Sequence, residues 1–257
     1  MREWEAYYSE DGKRRQKAFW DRYLKGIANE VDEWKPLEFE SRIDLGKSVK
    51  HFDVDWPPAA ARLADFKLGD GGRLMTGMDS APATATHVSF ASHRDDSRVQ
   101  WEHTFKSRTE ISGNGSLKLY VQAMHSPDAH LCVAVQKITR DGKEAKWYIH
   151  SQTTEASAMH GWLRVSHGEK DEKAIHSHQK RLWLQPHVVY EVEIELWPTS
   201  TIWEEGETLR LVVKGTSFFD DEQQTITKKF GSHSFGEVRV WFGGEYDSDL
   251  LLPVMHV

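Results

Sequence analysis

The chain has 257 residues, and its 33 Lys and Arg against 40 Asp and Glu give a formal net charge of −7, with 39% apolar and 11% aromatic residues. That composition can build the core of one large domain or two small ones, and it excludes an intrinsically disordered chain. The acid excess works against any non-specific grip on phosphates, and no apolar run approaches the roughly 20 residues a membrane-spanning helix needs, so neither nucleic acid nor a membrane is an expected partner.

The start, from Met1 to Ser9, has no basic segment followed by an apolar one, so a cytoplasmic location is expected. From Glu10 to Lys25, Ala18, Phe19, Tyr23 and Leu24 recur at helical spacing, continuing to Ile27. Ser9 is placed to cap the start, Glu10 and Asp11 suit the first turn, and Gly26 suits the stop, which predicts an amphipathic helix. The polar stretch from Asn29 to Pro36 reads as a linker.

From Leu37 the period changes to two. Strand alternation runs through Phe52, Val54 and Trp56, then Val99, Trp101, His103 and Phe105, then Leu117, Leu119 and Val121. It returns in Tyr190, Val192, Ile194 and Leu196, with Glu191, Glu193 and Glu195 on the opposite face. The run Leu131 to Val135 reads as a buried strand holding Cys132, the sole cysteine, which rules out an intrachain disulfide. Turn signals stand at Asp70-Gly71-Gly72, Asn114-Gly115, Asp141-Gly142 and Glu205-Gly206, the third marking a tight hairpin. Strands punctuated in this way form an antiparallel sandwich, barrel or jelly roll. The chain divides at the linker into residues 1–34, a helix with its connection, and residues 35–257, one β domain.

Much chemistry is missing. A nucleophile elbow needs Gly-x-Ser-x-Gly, and the nearest run, Gly215-Thr216-Ser217-Phe218-Phe219, lacks the second glycine, leaving Ser217 as a turn residue. No phosphate-binding glycine loop or dinucleotide fingerprint occurs, so no cofactor is expected. His176-Ser177-His178 could set two imidazoles on one strand face, but Leu182 and Trp183 stand where a metal site would add a carboxylate, so no metal is expected either. Asn114-Gly115-Ser116 matches a glycosylation acceptor but reads as a turn.

Four runs in order, Gln16 to Gly26, Gly161-Trp162-Leu163-Arg164-Val165-Ser166-His167, Glu195-Leu196-Trp197-Pro198-Thr199-Ser200-Thr201 and Gly243-Gly244-Glu245-Tyr246-Asp247-Ser248, resemble the CocE/NonD family of serine hydrolases. Their spacing is similar to that family's C-terminal, X-Pro dipeptidyl-peptidase-like jelly roll. The resemblance implies an all-β jelly-roll β-sandwich, galactose-binding-domain-like, with an N-terminal amphipathic helix. It also implies that the triad-bearing α/β-hydrolase domain is missing, the helix being that domain's last. The apolar face of the helix must then be buried on the jelly roll or a second subunit, which makes a homodimer an expected partner arrangement. Departures from the family pattern fall at His130, at Gly113-Asn114-Gly115-Ser116, and at Val238 and Trp241, where the family carries paired histidines.

These observations suggest two functions. The first is a cofactor-independent enzyme of secondary metabolism that guides a cyclisation or isomerisation of an apolar or aromatic small molecule. His103 and His130 would be its catalytic proton carriers, and Trp101, Phe105, Asn114, Arg239 and Trp241 would bind the substrate. The chain's own Met1 and the 14 histidines and 11 tryptophans favour it. The second is a non-catalytic ligand-binding or accessory domain that pairs with a hydrolase or another protein.

Overall fold

The computed structural model describes residues 3–77, 82–149, 154–170, 174–175, 179–219 and 234–256. Two helices come first, α1 (Glu3–Tyr8) and α2 (Glu10–Lys25). Eighteen strands follow among the described residues: β1 (Leu37–Asp44), β2 (Lys47–Asp53), β3 (Arg62–Gly69), β4 (Arg73–Thr76), β5 (Thr86–Ala91), β6 (Arg98–Thr104), β7 (Thr109–Ala123), β8 (His130–Ile138) and β9 (Glu144–Ala145). The series continues with β10 (Trp147–Ile149), β11 (Thr154–Ala156), β12 (Met159–Arg164), β13 (Glu169–Lys170), β14 (Ala174–Ile175), β15 (Val189–Trp203), β16 (Thr208–Lys214), β17 (Glu237–Phe242) and β18 (Asp249–His256). No helix among the described residues is long and apolar enough to cross a membrane.

Local chemistry sets the bounds of α2. The Ser9 side chain accepts from the Gly12 N–H at 2.9 Å, and Gly26 stops the helix at φ 72°, a conformation that favours glycine. The expected linker is not wholly irregular: Glu30–Glu33 form a 3₁₀ turn because the Asn29 side chain accepts from the Val31 N–H at 3.0 Å.

The main sheet runs β12-β8-β16-β6-β4-β3-β18-β7-β15-β1-β2, with β17 pairing both β7 and β5. Its pairings are antiparallel except β1 with β15 and β4 with β6. The path curls into two layers, and Trp101, Leu119, Leu131, Val133, Ile194, Trp203, Leu211 and Val240 fill the space between them, which is the all-β sandwich the strand pattern predicts. Closure brings β12 against β15 so tightly that a Cβ on Gly161 would lie 2.6 Å from the Glu195 carbonyl oxygen. Gly161→Ala is therefore expected to destabilise the sandwich by about 1–3 kcal/mol, measured by urea unfolding.

The hairpin at Asp141-Gly142 forms as predicted, with the Gly142 N–H donating to the Thr139 carbonyl at 2.9 Å and φ 81° at the glycine. Three other expectations need correction. Asn114-Gly115 is no turn but lies inside β7, beside register shifts in β15 (between Leu196 and Thr199) and in β18 (between Leu251 and Val254). Small residues are needed there for close approach: a Cβ on Gly113 would meet Pro253 at 2.8 Å and Pro57 at 3.0 Å. Phe52 and Val54, expected on a buried face, point to solvent at 59% and 67% exposure, because β2 is an edge strand whose inward positions are Val49 and His51. Of the two covers expected for the apolar face of α2, the sandwich is not one: Asp21 is the helix's buried residue, while Trp20 is 53% and Leu24 73% exposed in the single chain.

Candidate functional site

His103 and His130 do not share a site. In register, His103 stands opposite Leu209 and Leu209 opposite Lys137, while His130 lies seven positions back along β8 from Lys137. At roughly 3.3 Å per residue the two are about 23 Å apart along the strands, too far for one substrate to reach both. His103 is half-buried, its Nδ1 3.4 Å from the Leu74 carbonyl and its ring edge-on to Phe66 and Phe105. His130 opens β8 and its backbone N–H donates to the Ser234 hydroxyl at 3.2 Å.

Trp101 and Phe105 do face inward, but inward here means the closed core. Trp101 is 1% exposed and edge-on to Phe242, and Phe105 is 6% exposed and packed on Trp203. Both belong to the closed core, where residues of the opposing layer pack on them. Asn114 is exposed and accepts from Trp56 Nε1 at 3.3 Å, away from the other predicted residues. His176-Ser177-His178 lies outside the described residues.

Arg239 and Trp241 occupy the outer face of β17, as the alternation predicts, with Val238, Val240 and Phe242 buried beneath. Instead of pairing with each other, each finds a separate partner. Arg239 Nε donates to Glu237 at 2.7 Å and holds that carboxyl below its usual range. Trp241 Nε1 donates to the Gln122 side-chain oxygen at 3.1 Å, and the Gln122 amide nitrogen donates to the His187 carbonyl at 2.6 Å. Register sets His87, Trp241, Tyr120 and Glu191 in one row across β5, β17, β7 and β15, and Ser89, Arg239 and Gln122 in the next. His87 tilts 37° to Trp241 at 4.5 Å, and Tyr246 from the Gly243-Gly244 turn tilts 50° to it at 5.3 Å. The Ser248 hydroxyl ties that turn down, donating to the Trp241 carbonyl at 2.7 Å and accepting from the Tyr120 N–H at 3.2 Å. His87 and Tyr120 escaped the sequence reading, since only register joins them to Trp241, and the sequence marks Tyr246 only as part of a family-like run.

A buried polar cluster also escaped it. Glu110, fully buried, accepts from the Ser41 hydroxyl at 2.6 Å and the Ser112 hydroxyl at 2.7 Å, and Ser200 lies 2.6 Å from both serines. His51 Nε2 sits 3.3 Å from the other carboxylate oxygen. The residue types are those of a hydrolytic triad, but the order is wrong: the carboxylate lies between serine and imidazole, so the hydroxyl protons point at Glu110 and not at His51. The cluster pins β1 and β2 to β7 and β15.

Exposed aromatic side chains concentrate on α1 and α2, where Trp4, Tyr7, Tyr8, Phe19, Trp20 and Tyr23 are each 42–63% exposed. Arg15 joins this arm to the sandwich, 2.6 Å from Glu38 of β1 and with its guanidinium 4.9 Å over the Trp34 ring. Glu38 also pairs with Lys50 of β2 at 2.7 Å. Isolated apolar residues at a surface are ordinary, but a contiguous aromatic face marks an interaction site.

Residues 42–251 match the family model described as the X-Pro dipeptidyl-peptidase C-terminal non-catalytic domain. Two crystal structures of a CocE/NonD family hydrolase from Staphylococcus aureus superpose with TM-scores of 0.91 and 0.87 at 30% and 29% identity, covering 98% and 99% of this chain. The chain spans 47% of that hydrolase's length. An aminopeptidase from a Thaumarchaeota archaeon shares the fold with a TM-score of 0.70 at 16% identity, covering 98% of this chain and 44% of its own. A search of curated protein sequences returned no match.

Proposed function

Because this chain belongs to the X-Pro dipeptidyl-peptidase C-terminal non-catalytic domain family, we propose that it serves as an accessory domain that packs against an α/β-hydrolase catalytic domain through the α1–α2 arm. One observation carries the reading: an arm rich in exposed aromatics projects from a β-sandwich that corresponds to just under half of a CocE/NonD hydrolase. Each large apolar side chain fully buried in such a contact contributes about 1.5–3 kcal/mol, so a handful suffices for a lasting complex. The small-molecule enzyme lacks comparable support. Its two histidines lie about 23 Å apart along the strands and two of its substrate-binding aromatics belong to the core.

Co-expression with the catalytic half of the Staphylococcus aureus hydrolase, freed of its own C-terminal half, tests the pairing. The expected result is a one-to-one complex on size exclusion that Phe19→Ser, Trp20→Ser and Tyr23→Ser together abolish while leaving the sandwich's melting temperature within a few degrees. Two unassociated proteins would overturn the reading, and a homodimer lost in the same variant would reassign the face to a second copy of this chain.

A further inference from the structure

The outer face of β5, β17 and β7 lies far from the arm. Strands β17, β7, β15, β1 and β2 are successive neighbours, so at roughly 4.8 Å per strand the Trp241 surface stands about 19 Å from the β2 edge where Lys50 meets Glu38.

Two parallel rows make up this face. In the aromatic row, Trp241 has its polar edge satisfied by Gln122, and Gln122 is itself fixed by His187, so the indole is held in a set orientation. Half-buried Tyr246 and exposed His87 tilt toward it at 50° and 37°, which shapes a shallow cup rather than a flat slot. The polar row lies two residues along each strand, roughly 7 Å away. It holds Ser89, Arg239 and Gln122, with Glu237 beside them. Among the described residues, no hydrogen bond takes the Arg239 Nη groups or the His87 ring nitrogens.

Cross-strand pairing of His87, Trp241 and Tyr120 stabilises the sheet, but sheet pairing alone does not require donors left open beside a clamped indole. The rows ask for a ligand with one apolar face and a rim of groups that both donate and accept. An anion fits poorly, because Glu237 already neutralises Arg239 and the Glu245 carboxylate stands beside Tyr246. A flat base fits poorly too, because the cup's rings are tilted rather than parallel. A puckered sugar ring meets both demands: its C–H face lies on the indole, and its hydroxyls accept from Arg239 and His87 and donate to Glu237. We propose that this face is a binding site for a neutral saccharide. The site is distinct from the arm.

Affinity electrophoresis of the intact chain in gels containing galactomannan, xyloglucan, mixed-linkage β-glucan or xylan, with titration against adenosine in parallel, tests it. Retardation by at least one glycan is expected, with Kd raised about tenfold or more by Trp241→Ala. His87→Ala and Arg239→Gln, which remove exposed or half-buried groups and leave melting unchanged, should each weaken binding several-fold. The site is overturned by migration unaltered in all four glycans, by retardation that survives Trp241→Ala and His87→Ala, or by saturable binding of adenosine instead.

Discussion

Replacing Lys137 with methionine is expected to lower the stability of this protein by about 3–5 kcal/mol, the largest loss from a single polar substitution in the sandwich. Lys137 is 1% exposed, and its ammonium uses three donors on three partners: the Ile43 carbonyl at 2.6 Å, the Ile202 carbonyl at 2.7 Å and Glu207 Oε2 at 2.8 Å. Those partners belong to β1, β15 and the entry to β16, so one side chain of β8 fastens both layers. A thioether fills similar volume but leaves a buried carboxylate uncompensated and two carbonyls without a donor. Much of the cost comes from stranding Glu207, so Lys137→Met with Glu207→Leu should recover a large part of what the single change loses. Urea unfolding of the wild type, both singles and the double variant measures this. A single variant as stable as the wild type would mean that water reaches the ammonium.

The second large effect is in pH. His160, 5% exposed, sits among Trp162, Phe218 and Phe219, and burial pushes its pKa down from 6.5 to about 4. Its Nε2 accepts from the Ser157 N–H at 3.1 Å, so the folded state holds the neutral ring. A histidine with a folded pKa below its unfolded value leaves stability untouched above pH 6.5, where both states are neutral. As the pH falls from 6.5 toward 4 the unfolded chain takes up the proton first, and stability drops by up to about 3 kcal/mol. His160→Gln, which keeps an acceptor for Ser157, should flatten that segment of the profile. Below it, Asp128 adds an opposite case: burial raises its pKa, but Arg164 at 2.6 Å and two bonds from Ser166 outweigh it and hold the carboxyl low, so its contribution persists until more acid conditions. Denaturation midpoints from pH 7 to 4 that run parallel in wild type and His160→Gln would show that the imidazole is solvated.

How much of the site was legible follows from the range of the signals. Alternation in Val238, Val240 and Phe242 placed Arg239 and Trp241 on the outer face of their strand, where they are found. The same rule turned Trp101 and Phe105 inward, yet a single strand cannot tell whether inward means a pocket or a filled core. The opposing residues settle that from far along the chain: Phe242 lies 141 residues beyond Trp101, and Trp203 lies 98 beyond Phe105. His87 and Tyr246 reach Trp241 through strand register and a glycine turn; His87 has no mark in its own neighbourhood, and the run around Tyr246 marks the family without pointing to Trp241. The buried Glu110 was hidden for a like reason: its serine partners come from β1, β7 and β15.

By itself the sequence determined what near neighbours decide. Ser9 and Gly26 set the ends of α2 through bonds and dihedrals within a turn, the two-residue period announced the strands and the sandwich, and Asp141-Gly142 made its hairpin. Tertiary structure alone decided which apolar faces are covered. The aromatic stripe of α2 and the edge residues Phe52 and Val54 remain exposed, while Lys137, Glu110 and His160 are enclosed. Burial is a property of what packs opposite, and in this fold the opposing strand is set by long-range register, whereas caps, turns and periodicity act over a few residues.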